Sequence, residues 1–200
     1  MEQTGHVRLK IARIVSDLFS PPVVWGALAF PLAYSAAASL EEALIWALIY
    51  VLLVCVLPAL FIAVMVMTGR ITDIHVRVRR QRYAPMAVTL FGTTLAWIIL
   101  SLMNVPLMPE FALISLIEIA VMLTITLVWQ ISLHAMSITT AVVVAGAFYG
   151  SSTALLLVPL IPIVSASRVV LRRHTVPQVI AGGAIGAGMT LLLMAVIVAR

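Results

Sequence analysis

Seven apolar runs dominate the chain, at about residues 22–40, 43–67, 86–104, 110–130, 135–150, 152–167 and 178–199, with short polar stretches between them. A helix rises about 1.5 Å per residue, so ~20 residues cross a ~30 Å hydrocarbon core, and the pattern predicts an all-α, polytopic integral membrane helical bundle of seven spans. The fifth and sixth runs are divided at Tyr149-Gly150-Ser151-Ser152, because one helix across 135–167 is longer than a crossing needs and this tetrapeptide reads as a turn. Ahead of the first run, Val7, Ile11, Ile14 and Leu18 recur at helical spacing while Lys10, Arg13 and Asp17 fall on another face. This pattern predicts an amphipathic helix over residues 1–20 that lies in the membrane interface and ends at Pro21-Pro22. Residues 21–200 then make a single transmembrane domain.

Composition narrows the class further. Of 200 residues, 64% are hydrophobic and only 10% charged, which excludes an ordinary soluble domain. The net charge of +5 comes from short basic clusters between the runs. Such clusters fit acidic headgroups or phosphorylated substrates, and no nucleic acid partner is expected. The lone Cys55 lies within an apolar run, so one chain can build neither a disulfide framework nor a thiolate metal site. The small residues from Ser35 to Ser39 resemble a signal-cleavage site, but the run before them is long enough to span, and it is expected to be retained as a helix. Glu118 sits near the middle of the fourth run, where a carboxylate is costly in lipid, so it is expected either to face the bundle or to be protonated, as a structural hydrogen-bonding group rather than a proton relay. The run Ala181 to Gly188 reads as a helix face for close packing, and without a βαβ unit its glycines are no dinucleotide fingerprint.

The parity of the spans sorts the polar stretches by side. Gly69 to Pro85, Gln130 to His134 and Ser167 to Gln178 follow an even number of crossings, so all three are expected on the face where the chain begins. Glu41-Glu42, Asn104 to Glu110, the Tyr149 turn and Arg200 fall on the other. Eleven of the twelve basic side chains thus share one face, and the positive-inside rule assigns it to the cytoplasm; the membrane is expected to be a prokaryotic plasma membrane. Arg8, Lys10 and Arg13 belong to no motif, so their bias reports topology independently of any site.

Phosphoryl transfer needs cationic or N–H donors around the phosphate, an in-line nucleophile and an acid for the leaving oxygen. Three stretches on that face hold such groups. The first is Ser167-Arg168-Val-Val-Leu-Arg172-Arg173-His174-Thr175-Val176-Pro177-Gln178, with five residues between Arg168 and His174. The second is Gln130-Ile-Ser132-Leu-His134-Ala135, a Ser-x-His at a helix start, where backbone N–H groups and the positive dipole end favour an anion. The third is the basic loop from Asp73 to Pro85, with His75, Arg77, Arg79, Arg80 and Arg82. Arginines at a helix end are ordinarily interfacial anchors, and a single boundary histidine is ordinarily structural. Their conjunction, in order and on one face, argues for a site.

These residues carry a resemblance to the type 2 phosphatidic acid phosphatase superfamily, which includes vanadium haloperoxidases. Its third signature, SRxxxxxHxxxD, is matched from Ser167 through His174, with Gln178 in place of Asp. Its second, PSGH, is represented by Ser132 and His134, with Ile131 and Leu133 replacing Pro and Gly. Its first, KxxxxxxRP, has only His75 and Arg82 at the right offset, and Pro85 comes three residues late. The resemblance covers about the last 70 residues well; the family core has six spans, with the first two signatures in one loop.

The resemblance implies a membrane lipid phosphatase that hydrolyses a phosphomonoester or diphosphate of the phosphatidic acid, phosphatidylglycerophosphate or polyprenyl diphosphate type. It implies His174 as the nucleophile forming a phosphohistidine, His134 as the acid, and Gln178 as the group orienting His174. Arg168, Ser132, Arg82, Arg79 and Arg80 would be phosphate ligands, and neither metal nor cofactor is implied. Gln178 offers an acceptor but no charge, so orientation of His174 is expected with weaker activation. Two alternatives stay open: a degenerate protein that binds lipid phosphates without turnover, and a small transporter, which would want more polar residues at bilayer depth than Glu118.

Overall fold

A computed structural model describes residues 2–198, with side chains from His6 to Val196. Arg200, expected on the face opposite the basic stretches, lies outside the described residues. The helices are α1 (Glu2–Leu18), α2 (Pro21–Ala36), α3 (Leu40–Tyr50), α4 (Leu57–Met67), α5 (Tyr83–Leu102), α6 (Met108–Val128), α7 (Leu133–Tyr149), α8 (Ser151–Leu157), α9 (Leu160–Val170) and α10 (Val176–Val198), and no strand occurs among the described residues. Every apolar run is helical. A π-helical stretch, Val51–Val56, joins α3 to α4. Pro58 accounts for it: the proline has no N–H, its ring crowds the carbonyl four residues back, and a wider turn relieves the clash without ending the helix.

Five helical stretches are long and apolar enough to cross a membrane: Leu40–Met67, Arg79–Leu102, Met108–Val128, Ser151–Val170 and Val176–Val196; a sixth appears if the bent pair α1 and α2 counts as one. Length alone therefore supports five to six spans where the hydrophobic pattern predicts seven. The two apolar runs that fall short are α2, of 16 residues, and α7, of 17. Both are limited by polar caps. Ser39 starts α3 by accepting the Glu42 N–H at 3.2 Å, while Glu42 Oε2 accepts the Ala38 N–H at 3.0 Å, a reciprocal arrangement that stops the run of residues 22–40 early. Ser132 likewise fixes the start of α7 by accepting the Ala135 N–H.

The chain forms two compact units, one of Met1–Val24 with Ile131–Arg200 and one of Trp25–Gln130. In the second, Phe111 stacks on Tyr50 at 4.7 Å and lies 5.3 Å from Trp25. The Tyr50 hydroxyl and Ser115 Oγ are 2.6 Å apart, and Ser115 donates back to the Phe111 carbonyl. Glu118, one turn further along α6, is fully buried, so it faces the protein interior. Gly92 of α5 lies against the Leu53 carbonyl of the π-helical stretch, where a Cβ would collide with backbone.

The first unit is built around α7, whose residues from His134 to Val142 are all buried. Helices α8, α9 and α10 pack on it, and α1 packs on α9. The α10 contact depends on two glycines spaced by one turn. A Cβ on Gly182 would lie 2.5 Å from the Ser132 carbonyl oxygen, and one on Gly186 would lie 2.5 Å from that of Met136. Thr190 adds polar contacts in the same seam, its hydroxyl donating to the Gly186 carbonyl at 2.6 Å and lying 3.2 Å from Thr140 Oγ1. Small residues let two helix backbones approach closely in lipid, where little else drives their association. At the other end of α7, Gly150 takes φ +92° and turns the chain into α8, as the Gly-Ser-Ser sequence predicts.

The glycine seam predicts a position-specific sensitivity. Gly186→Val should destabilise the protein by about 2 kcal/mol or more through overpacking against backbone, while Gly188→Ala, with open space beyond its Cα, should be near neutral. Thermal unfolding in detergent compares the two, and equal melting temperatures would contradict the seam.

Candidate functional site

One end of the first unit gathers the start of α7, the end of α9 and the start of α10, and each terminus is shaped by its own backbone chemistry. Helix α9 ends in a reversed turn in which Arg172 adopts a left-handed φ of +53°. The Arg172 N–H donates to the Val169 carbonyl and the Arg173 N–H to the Arg168 carbonyl, both at 2.9 Å, which together make a Schellman motif with arginine where glycine is usual. The His174 N–H also donates to the Arg168 carbonyl, at 3.3 Å. The turn thus folds the five-residue spacer back, so His174 returns to the end of the helix that carries Arg168.

Helix α10 then starts with Thr175-Val176-Pro177-Gln178. Gln178 Oε1 accepts the Thr175 N–H at 3.0 Å and lies 3.3 Å from His174 Nδ1. Its first bond is the backward half of a capping box, and proline in the first turn removes an N–H that would lack a helical acceptor. The two contacts together assign the imidazole tautomer. A backbone N–H only donates, so the amide presents its oxygen there; that oxygen only accepts, so Nδ1 of His174 carries the proton of this hydrogen bond.

The second motif joins through backbone. The Ser132 N–H donates to the Gln178 carbonyl at 3.1 Å, which sets the start of α7 beside that of α10. Ser132 Oγ accepts the Ala135 N–H at 3.3 Å. The hydroxyl expected to bind phosphate is therefore also the cap of α7. His134, two residues on, is buried, and its Nε2 lies 3.1 Å from the Ser16 carbonyl of α1. Because a carbonyl can only accept, Nε2 of His134 carries a proton. The Ser16 hydroxyl accepts a hydrogen bond from a terminal nitrogen of Arg168, a residue only 2% exposed.

These bonds, with the chain from Ser132 to His134 joining the second to the third, close a circuit: His174 to Gln178, Gln178 to Ser132, His134 to Ser16, Ser16 to Arg168, and the Arg168 carbonyl back to the His174 N–H. His134, Arg168, His174, Ser132 and Gln178 are thereby brought together at one end of one unit. Ser16 is the member that sequence reasoning missed. Between His6 and Leu18, Ala12 and Ser16 are the buried small residues, one turn apart, and this pair marks the face that packs.

The basic loop belongs to the second unit, and its side chains have local employment there. Asp73 accepts the His75 N–H at 3.0 Å and pairs with Arg77 at 3.0 Å. Val76 takes φ +45°, a conformation rarely adopted by a β-branched residue, and the buried Arg82 donates Nε–H to its carbonyl at 2.8 Å. Arg79 donates to the Val128 carbonyl, and Arg80 is exposed. Gln130 donates to the Arg77 carbonyl at 3.4 Å, tying this loop to the end of α6.

No group of three His, Cys, Asp or Glu side chains placed to hold a metal ion occurs among the described residues. No protein-family model, no curated protein and no solved structure matches the chain.

The double role of the Gln178 oxygen makes a prediction about this residue alone. Gln178→Ala should cost about 1 kcal/mol as a lost helix cap and release the His174 tautomer, whereas Gln178→Glu keeps the acceptor and should retain both. Thermal unfolding together with nitrogen chemical shifts of the His174 ring reads the two effects. An unchanged tautomer in Gln178→Ala would contradict the assignment.

Proposed function

We propose that the protein is a membrane lipid phosphatase, with His174, His134 and Arg168 as the working residues. The observation that carries the reading is the circuit of contacts, which gathers two imidazoles, each held through one ring nitrogen, and a buried guanidinium at one helix-rich end of one unit. The seven apolar helical segments are proposed as seven crossings, with α2 and α7, at ~24–26 Å by helical rise, as the short ones. The basic face is proposed to be cytoplasmic.

In the proposed reaction, His174 Nε2 attacks the phosphorus of a lipid phosphomonoester or diphosphate. A bond forms between nitrogen and phosphorus as the bond to the leaving oxygen breaks. The electron pair departs with that oxygen, which takes the Nε2 proton of His134 acting as the imidazolium, and the ring is left neutral. Arg168 and Ser132 offer hydrogen-bond donors to the charge on the phosphate oxygens, as does the N-terminal turn of α7. His134, now basic, takes a proton from water as the water oxygen attacks phosphorus and releases His174. Gln178 keeps Nδ1 protonated throughout. As a neutral acceptor it stabilises the imidazolium-like state less than a carboxylate would, so turnover is expected to be modest.

The second reading, a lipid-phosphate binder without turnover, is favoured by that same neutrality at Gln178. One experiment separates them. Phosphate release from labelled phosphatidic acid or a polyprenyl diphosphate is measured in sealed vesicles of both orientations, with EDTA present. The phosphatase predicts release in inverted vesicles, loss of release in His174→Ala, and in His134→Ala a decrease of ~10²-fold or more, typical of a removed general acid. Binding with no release from any substrate in either orientation sinks the phosphatase and leaves the binder.

A further inference from the structure

Helix α1 has two faces that the proposed reaction does not use, and both point to one behaviour. Its outer side exposes Val7, Leu9, Ile11, Ile14 and Leu18, each about half accessible, beside exposed Arg8, Lys10 and Arg13. Asp17 is the one acidic side chain between His6 and Leu18. Large apolar groups interleaved with cations along a single helix fit an anionic lipid surface: the apolar side enters the acyl boundary and the cations meet headgroup phosphates.

The inner side meets the site at the last turn of α1. The Ser20 N–H donates to the Asp17 carbonyl rather than continuing the α-helical pattern to Ser16. The Ser16 carbonyl therefore belongs to the set that a helix end leaves for other donors, and His134 Nε2–H supplies one. The Ser16 hydroxyl takes the hydrogen bond from Arg168. Two oxygens and the negative end of a helix dipole are thus presented to the guanidinium and the imidazole N–H that the proposed reaction assigns to the substrate. A bound phosphate presents the same kind of acceptor to the same donors, with full negative charge. Ionised acceptors make hydrogen bonds roughly twice as strong as neutral ones, so the exchange favours the substrate once α1 can leave.

We propose that α1 docks on the anionic lipid surface of its own membrane and that its last turn, through the two oxygens of Ser16, stands in for the substrate phosphate at Arg168 and His134. Docking holds α1 away and opens the site; without an anionic surface, α1 rests on the donors and occludes them. This gate rests on the phosphate-site reading above.

The test uses the full-length protein in lipid nanodiscs and orthovanadate as the phosphate probe. In neutral phosphatidylcholine discs, Ser16→Ala should bind vanadate about tenfold tighter than the unaltered protein, as removal of one competing hydrogen bond to a charged group implies. Moving the unaltered protein into discs containing phosphatidylglycerol should tighten binding by a similar factor, against the general repulsion of vanadate by an anionic surface. Replacing Arg8, Lys10 and Arg13 together by Gln changes only exposed side chains, and should abolish that gain. Equal or weaker binding by Ser16→Ala overturns the stand-in. A lipid gain that survives the Gln replacements overturns the docking face. Absence of vanadate binding by every form, with helical content intact, overturns the phosphate-site reading and the gate with it.

Discussion

The close approach of α7 and α10 is the contact on which the rest of the first unit depends. Helix backbones come near enough for the Ser132 N–H to reach the Gln178 carbonyl only because Gly182 and Gly186 present no Cβ to the carbonyls of Ser132 and Met136. That bond sets the first turns of α7 and α10 side by side, and each first turn carries one histidine motif. A side chain at either glycine would separate the two motifs before any residue of the proposed reaction was altered. In a membrane, where apolar side chains lose nothing by facing lipid, such small-residue contacts decide which helices pair.

Burial of Arg168 is the second constraint. A guanidinium only 2% exposed needs oxygen acceptors near it, and the protein supplies one from the Ser16 hydroxyl. The same α1 turn supplies an acceptor to His134. The arrangement satisfies donors that a phosphate would also satisfy, which links the stability of the folded first unit to the chemistry proposed for it.

Much of this was legible in the chain. The apolar runs appear as helices, the Tyr149 turn divides α7 from α8, and the glycine-rich stretch of α10 makes the close contact expected of it. The spacing of Arg168, His174 and Gln178 was legible, but not the reason for it: a left-handed Arg172 reverses the chain, and Gln178 caps the Thr175 N–H while holding His174. Span length was overestimated at the first run because the reciprocal cap between Ser39 and Glu42 restarts the helix inside it. Ser16 was invisible because a serine among basic and apolar neighbours carries no motif; only its burial on the small side of α1 distinguishes it. The arginines of residues 77–82 looked alike as a basic run, yet Asp73 and the left-handed Val76 give Arg77 and Arg82 separate local partners.

Trapping a phosphohistidine at His174, the proposed nucleophile, tests the proposed reaction most directly. Full-length protein in anionic vesicles is mixed briefly with phosphatidic acid labelled in its phosphate, quenched in alkali and cleaved into peptides. An acid-labile, alkali-stable phosphoramidate is expected on the peptide that contains His174, absent from His174→Ala. Label on another residue, or undiminished turnover in His174→Ala, would contradict it.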